Sequence, residues 1–207
     1  MTKTRTRWVR RQSDAVCVAV GLVILGLGMI AVRNGTVSGF EESIFHAIND
    51  LPQALYPLLW PFQQAGAVLV GPVVALVAFV LGYRRLAAAA LVVTVMKLVL
   101  ERVVKAMVTR ERPGTSIGPD IHMRGAVSAT GESFVSGHAV LIAALASIVT
   151  PYLRGRWRVV PWILVGLVLV ARVYVGAHNP LDVVCGAALG VAIGGAANLI
   201  FCVPENA

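Results

Sequence analysis

Six long apolar runs constrain the fold of this chain more than any other feature of its sequence. A helix needs about 20 predominantly apolar residues to cross a bilayer. Runs of this kind lie at approximately 15–32, 64–82, 86–108, 137–153, 159–177 and 181–202. The chain has 207 residues, of which 57% are hydrophobic and only 14% are charged. We therefore predict an all-α, polytopic membrane protein with six transmembrane helices in a single domain.

Basic residues concentrate in three segments that an even number of spans places on one side of the membrane. These are the arm 1–14, with Lys3, Arg5, Arg7, Arg10 and Arg11, the connection with Arg84 and Arg85, and the connection with Arg154, Arg156 and Arg158. Because cytoplasmic loops of membrane proteins are enriched in Lys and Arg, we expect a plasma-membrane protein with both termini in the cytoplasm. We attribute much of the formal charge of +8 to these basic segments, which set the orientation of the protein in the membrane. We therefore expect no nucleic-acid partner.

The opposite, extracytoplasmic side receives the segments 33–63 and 109–135 and the turn around His178. Residues 40–52 have the pattern of a short interfacial helix, with Glu41, Glu42 and Asp50 on its polar face. Every cluster of polar residues in or beside the apolar runs falls on this side, at the end of a predicted helix. Charged groups at membrane depth indicate function by default.

Small residues within the apolar runs are expected to serve helix contacts. Gly186, Gly190 and Gly194 recur every four residues, which allows two helix backbones to approach closely, inside the bundle or across a dimer interface. Cys17, Cys185 and Cys202 fit no metal or redox spacing, and we interpret them as small apolar residues.

The first polar cluster lies at the end of the third predicted helix. Lys97, Glu101 and Lys105 follow each other at intervals of four residues and should form one stripe that faces the bundle interior. If the helix continues to Arg112, just before Pro113, Lys105 and Arg112 point the same way and can hold a phosphate together. Cations that reach for lipid headgroups are the alternative explanation for either residue alone.

The second cluster, Ser136-Gly137-His138, opens the fourth predicted helix. Ser136 is a suitable N-cap, and Gly137 lets a ligand come close to the backbone. The unpaired N–H groups of a first helical turn attract anions. A histidine in that turn would lie beside a bound anion, although an ordinary cap followed by an interfacial histidine has the same sequence.

The third cluster contains Arg172, His178 and Asp182. Asn179 and Pro180 mark the start of the sixth helix, which places Asp182 in its first turn and His178 just before it. The carboxylate can then bond one ring nitrogen of His178 and leave the other free and more basic. Favourable placement of Asp182 at a helix N-terminus, and an ordinary loop histidine, remain the alternatives.

In order and spacing, the pattern Lys-x6-Arg-Pro, Ser-Gly-His and Arg-x5-His-x3-Asp resembles the type 2 phosphatidic acid phosphatase (PAP2) superfamily over about half of the chain. Two positions depart from the family pattern. Val135 stands where the family usually has Pro, and Ala171 stands where it usually has Ser. We expect these departures to affect rate and substrate preference more than the class of reaction.

The resemblance implies a lipid phosphatase that needs no metal or other cofactor. His178 would be the nucleophile that forms a phosphohistidine, Asp182 would orient it, and His138 would serve as acid and then as base. Phosphate would be held by Lys105, Arg112, Ser136, Gly137 and Arg172. His46 and His122 match no family motif.

The expected partners are membrane lipids and a lipid phosphate substrate, and our first expectation for the substrate is undecaprenyl or decaprenyl diphosphate. Phosphatidic acid, phosphatidylglycerol phosphate and a phosphorylated glycolipid remain open as substrates. So do two other functions, lipid phosphotransfer and non-catalytic binding of lipid phosphates.

Overall fold

The computed structural model describes residues 7–205 and confirms the all-α fold. Two short strands, Trp8–Val9 (β1) and Val203–Pro204 (β2), pair antiparallel near the two ends of this range. Single 3-10 turns lie at Gln53–Leu55, Thr150–Tyr152 and Gly155–Val159. The helices of the described residues are α1 (Gln12–Ala31), α2 (Gly39–Asn49), α3 (Tyr56–Gln64), α4 (Val70–Val80), α5 (Arg84–Met107), α6 (Pro113–Ser116), α7 (Gly137–Val149), α8 (Val160–Tyr174) and α9 (Pro180–Phe201).

Within residues 7–205, three helical segments are long and apolar enough to cross a membrane by themselves: Gln12–Ala31, Gly155–Tyr174 and Pro180–Phe201. Val70–Val80 and Gly137–Tyr152 are apolar but shorter. The predicted run 64–82 does not form one helix, because α3 ends at Gln64 and residues 65–69 form turns before α4 begins. The six-span topology therefore stays a prediction. Lys3 and Arg5 of the predicted basic arm lie outside the described residues.

Helix α9 packs closely against α7 along its glycines. A Cβ atom added to Gly190 would lie 2.3 Å from the Val140 carbonyl oxygen, and one added to Gly194 would lie 2.4 Å from the Ser147 Cβ. Gly186 faces the first turn of α7 in the same way. These glycines therefore serve contacts within the bundle. The contact aligns the first turns of the two helices, and the Ser136 N–H donates to the Asp182 carbonyl at 3.0 Å.

The opposite end of α9 meets the two described ends of the chain. The Arg85 guanidinium lies 4.4 Å from the centre of the Trp8 ring and donates to the Phe201 carbonyl at 3.0 Å. The Tyr152 ring contacts both the Trp8 and Tyr83 rings. The α4–α5 connection, the end of α7 and strands β1 and β2 therefore share one end of the bundle. The predicted cytoplasmic orientation of this end stays a prediction.

Replacement of Gly190 by Val should destabilise the fold, because the new side chain would collide with backbone that cannot turn aside. Overpacking of this kind costs about 1–3 kcal/mol. Gly166→Val on α8 is the matched control, since nothing lies within 4 Å of a Cβ added there. Thermal unfolding in detergent should show a lower Tm for Gly190→Val and a small change for Gly166→Val. Equal shifts would contradict the close α7–α9 contact.

Candidate active site

The buried carboxylate of Asp182 accepts hydrogen bonds from three parts of the chain. Its Oδ1 accepts from the Arg110 guanidinium at 2.8 Å. Its Oδ2 accepts from the Ser133 hydroxyl at 2.5 Å and from the Asn179 N–H at 2.8 Å. The Asn179 contact is local and belongs to the start of α9, as the Asn-Pro sequence predicts. The other two contacts join α9 to segments 49 and 72 residues away in sequence.

Ser133 lies between Asp182 and His178. The His178 Nδ1 atom is 3.3 Å from the Ser133 oxygen but 3.8 Å from Asp182 Oδ2, so the predicted direct bond is replaced by a bridge. An ionised carboxylate can only accept hydrogen bonds, and Ser133 therefore donates its single proton to Asp182. The serine oxygen is left to accept from the Nδ1–H of His178. This arrangement fixes the ring tautomer and leaves the Nε2 lone pair free.

The environment of His178 keeps its imidazole neutral. Burial lowers the pKa of His178 to about 4, and the charges of Arg172 and Arg112 also act to lower it, while Asp182 raises it. The sequence predicted a more basic histidine because it considered the carboxylate alone. Burial outweighs the carboxylate, so the ring takes up a proton only near pH 4 and is a neutral potential nucleophile at pH 7.

Arg110 and Glu41 complete the support of Asp182, and neither was among the predicted site residues. Arg110 is fully buried and pairs with Glu41 Oε2 at 2.5 Å as well as with Asp182. Glu41 Oε1 accepts the free N–H of Leu181 at 2.8 Å. Glu41 is 3% exposed, which corrects its predicted place on the polar face of α2. A carboxylate is stable there because a buried guanidinium and a helix N–H satisfy both of its oxygens.

Arg112 reaches the site from an extended segment. Helix α5 ends at Met107, so the condition under which Lys105 and Arg112 would share a helix face is not met. The chain after α5 pairs instead with the segment before α7, since Glu111 bridges to Glu132 and the Ser133 N–H donates to the Arg110 carbonyl at 2.7 Å. The Arg112 guanidinium donates to the Ala177 carbonyl at 3.4 Å, beside His178.

Arg172 brings a second guanidinium to His178. It is buried at the end of α8, and its charge acts on both His178 and His138. Within residues 7–205, the Arg172 Nε and the Ser136 Oγ are buried without a hydrogen-bond partner. A buried donor without a partner is costly, and a bound anion would satisfy it. Arg172 and Ser136 are both among the predicted phosphate-binding residues, and that role stays a prediction.

His138 lies in the first turn of α7 and is half-buried. It is covered by the turn between α3 and α4, where a Cβ atom added to Gly66 would lie 2.5 Å from the His138 Cβ. The charges of Arg172, His178, Lys97 and Glu101 all act on His138. The structure thus brings the second and third predicted clusters together at one end of the bundle.

Lys105 is connected to this cluster by Glu101, which pairs with Lys105 and lies against Gly137. The Lys105 and Lys97 ammonium groups lie 2.9 and 2.7 Å from the two oxygens of the Glu101 carboxylate. This stripe faces the bundle interior, as its spacing predicts. The Glu101 carboxylate also lies directly against Gly137, where an added Cβ atom would be 2.3 Å from Oε2. The space beside Gly137, which the sequence assigned to a ligand, therefore holds a carboxylate of the protein.

The other two histidines stand apart from this site. His46 lies 3.3 Å from Asp50 on α2, and His122 lies near the same carboxylate. No group of three or more His, Cys, Asp or Glu residues in the described chain is arranged to hold a metal ion.

Two of the groups that support Asp182 have sequence signals that can be recognised afterwards. Arg110 lies within the Lys-x6-Arg-Pro motif, two residues before Arg112, and Ser133 lies three residues before Ser136. Glu41 has no comparable signal, because its partners lie 69 and 140 residues away.

Comparison with solved structures finds the same fold in two proteins. LpxE from Aquifex aeolicus superposes with a TM-score of 0.66 and 21% identity, over 77% of this chain and 95% of LpxE. The first transmembrane PAP2-type phosphatidylglycerolphosphate phosphatase from Bacillus subtilis superposes with a TM-score of 0.67 and 19% identity, over 89% of this chain and 94% of that protein. No curated protein sequence matches the chain.

The family assignment rests on the sequence itself. The model of the PAP2 superfamily matches residues 86–202, which include α5, the extended segment with Arg110 and Arg112, and all of α7, α8 and α9. This range is more than half of the chain and contains every predicted site residue. The chain is a membrane phosphatase that belongs to the PAP2 superfamily.

Proposed function

We propose that this protein hydrolyses a phosphate or diphosphate monoester of a membrane lipid through a phosphohistidine at His178. The observation that carries the proposal is the linkage of Asp182, Ser133 and His178. It holds a neutral imidazole with Nε2 free, beside Arg172 and Arg112. A module that only binds phosphate needs cations, but it does not need a nucleophile with a fixed tautomer.

The first step is in-line attack of His178 Nε2 on phosphorus. As the N–P bond forms and the bond to the lipid oxygen breaks, the imidazole gains positive charge. The hydrogen bond from Nδ1–H to Ser133, and through it to Asp182, stabilises that charge. Arg172, Arg112 and Lys105, with the N–H groups at the start of α7, would hold the phosphoryl oxygens. Phosphoryl transfer depends mainly on such positioning and charge stabilisation.

His138 is suited to move the proton. In the first step a protonated His138 would give its proton to the leaving lipid oxygen. In the second step the neutral ring would take a proton from water as the water attacks the phosphohistidine. That attack breaks the N–P bond and releases inorganic phosphate and free His178. Gly66, in the turn between α3 and α4, lies against the His138 side chain.

An apolar groove along α7 and α8 supports a lipid as substrate. It has a volume of about 380 Å³, lies between α4, α7 and α8, and is lined only by apolar side chains, including Val74, Ile142 and Leu164. Ile142 is one helical turn from His138, and Leu164 is two turns from Arg172. Most of the groove lies towards the opposite end of the bundle, so a hydrocarbon tail that runs along α7 from the cations would enter it with its far part. Burial of the tail would contribute roughly 0.8 kcal/mol per CH₂ group.

The preferred substrate is undecaprenyl or decaprenyl diphosphate, cleaved to the monophosphate on the extracytoplasmic face. The positive-inside rule supports that face, because the basic connections lie at the other end of the bundle. Phosphatidylglycerol phosphate is the second candidate, since a structural neighbour acts on it by name. Phosphatidic acid and a glycolipid phosphate complete the set. Product analysis with an added acceptor lipid separates hydrolysis from phosphotransfer.

Phosphate release from these four classes of lipid, by the purified protein in detergent, tests the proposal. We expect release from at least one class, its abolition in His178→Ala, and a labelled phosphohistidine when a ³²P-lipid is quenched in alkali. His46→Ala is the control, because His46 lies on α2 outside the site. Unimpaired release by His178→Ala would refute the nucleophile. Tight binding of all four lipids without release would favour a binding module.

Ser133→Ala tests the bridge between Asp182 and His178. The substitution removes a hydrogen bond to a charged group, worth about 1.5–3 kcal/mol, and kcat should fall roughly ten- to hundred-fold. KM should change little, because Ser133 is not among the groups that hold phosphate. Ser128→Ala is the control, since the Ser128 hydroxyl is exposed in the same loop. A KM effect without loss of kcat would place Ser133 in substrate binding instead.

A further inference from the structure

Gln63 on α3 is a buried polar side chain that the mechanism above does not use. It is 9% exposed, and its Oε1 has no hydrogen-bond partner among residues 7–205. A buried acceptor without a partner costs free energy, and a donor that binds to it removes that cost. Gln63 precedes residue 86, where the match to the family model begins, so the resemblance to the family assigns it no role.

The neighbours of Gln63 on α3 place it beside the proposed acid and base of the reaction. Leu59, one turn earlier on the same face, belongs to a buried cluster with Ala171 at the end of α8. Gly66, one turn later, lies against His138 at the start of α7, and its N–H donates to the Gln63 carbonyl at 3.4 Å. Because Gln63 lies between these two contacts, its buried side chain is placed where α3 meets the ends of α7 and α8 that form the site.

The chemistry of an amide oxygen limits which group can bind to Gln63. The oxygen accepts hydrogen bonds, and the phosphoryl oxygens of a lipid phosphate at pH 7 are also acceptors, so the two cannot pair. The Arg172 Nε is buried and unpaired as well, so the two groups are not bonded to each other. The arginine suits a phosphoryl oxygen, whereas Gln63 needs a donor. Water is a donor that the second step of the reaction requires.

We propose that Gln63 positions the water molecule that hydrolyses the phosphohistidine. His138 takes one proton of this water, and the Gln63 Oε1 accepts a hydrogen bond from the other O–H. With both hydrogens held, a lone pair of the water oxygen can face phosphorus in line with the N–P bond. As the O–P bond forms, the N–P electron pair returns to His178 Nε2, and the second hydrogen stays on the released phosphate. The proposal rests on the phosphohistidine mechanism given above.

A chase of the labelled phosphohistidine tests the inference, because it measures the second step by itself. Purified protein in detergent is labelled with whichever of the four classes of ³²P-lipid it cleaves, and loss of label is followed after excess unlabelled lipid is added. In Gln63→Met the label should be lost about five- to ten-fold more slowly, since the attacking water lacks one hydrogen bond. The rate at which label first appears should keep its wild-type value, because no water takes part in that step.

Two further variants make the result specific. Gln64→Met is the matched control, since the neighbouring Gln64 is exposed, and both of its rates should equal those of the wild type. Gln63→Asn withdraws the amide by one carbon while it keeps a polar side chain. It should also slow only the loss of label, and it supplies the test if Gln63→Met fails to fold.

Three results would contradict the inference. Equal slowing of both steps in the Gln63 variants would indicate a structural role, and slowing of the first step alone would place Gln63 against the headgroup. A wild-type rate of label loss in Gln63→Met would overturn the inference and leave the proposed function intact. A wild-type protein that forms no phosphohistidine would instead refute the proposed mechanism and the inference together.

Discussion

The carboxylate of Asp182 is buried, and the donors that hold it bring together the separate parts of the active site. Arg110 belongs to the extended segment after α5, Ser133 to the loop before α7, and Asn179 to the start of α9. Through Arg110 and Glu41, the same network fixes α2 beside α9. A buried charge of this kind is tolerated only when each of its oxygens is satisfied. Loss of any one donor would therefore affect the chemistry, and loss of Arg110, which also pairs with Glu41, would affect the fold as well.

His178 shows how the site balances two opposing effects. Burial and the nearby Arg172 and Arg112 disfavour a charged imidazole, while the linkage through Ser133 to Asp182 favours it. Before reaction the first effect dominates, so the ring is a neutral nucleophile. As the ring attacks phosphorus it becomes positively charged. The hydrogen bonds through Ser133 to Asp182 then stabilise that charge. An interaction that strengthens in the transition state accelerates the chemical step, whereas uniform binding does not.

Local signals predicted much of this structure from the sequence. The apolar runs in the sequence predicted the bounds of α1, α5, α8 and α9 to within a few residues. The N-cap and proline residues predicted the starts of α7 and α9 correctly. The run 64–82 was misassigned because its apolar composition hides the turn at 65–69. The roles of Glu41, Arg110 and Ser133 depend on contacts between residues 45 or more positions apart, which no local pattern encodes. The space beside Gly137 was assigned to a ligand. The Glu101 side chain that fills this space comes from another helix, and the sequence around Gly137 gives no sign of it.

The most direct test of this account is ¹⁵N NMR of the histidine rings, with His178 assigned by comparison with His178→Gln. We predict that His178 is the Nδ1–H tautomer at pH 7 and that it titrates with a pKa of about 4. In Ser133→Ala the ring should lose its single tautomer while the fold is retained. An Nε2–H tautomer would contradict the linkage from Asp182 through Ser133 to a free Nε2. A midpoint near the ordinary value of about 6.5 would contradict the conclusion that burial outweighs the carboxylate.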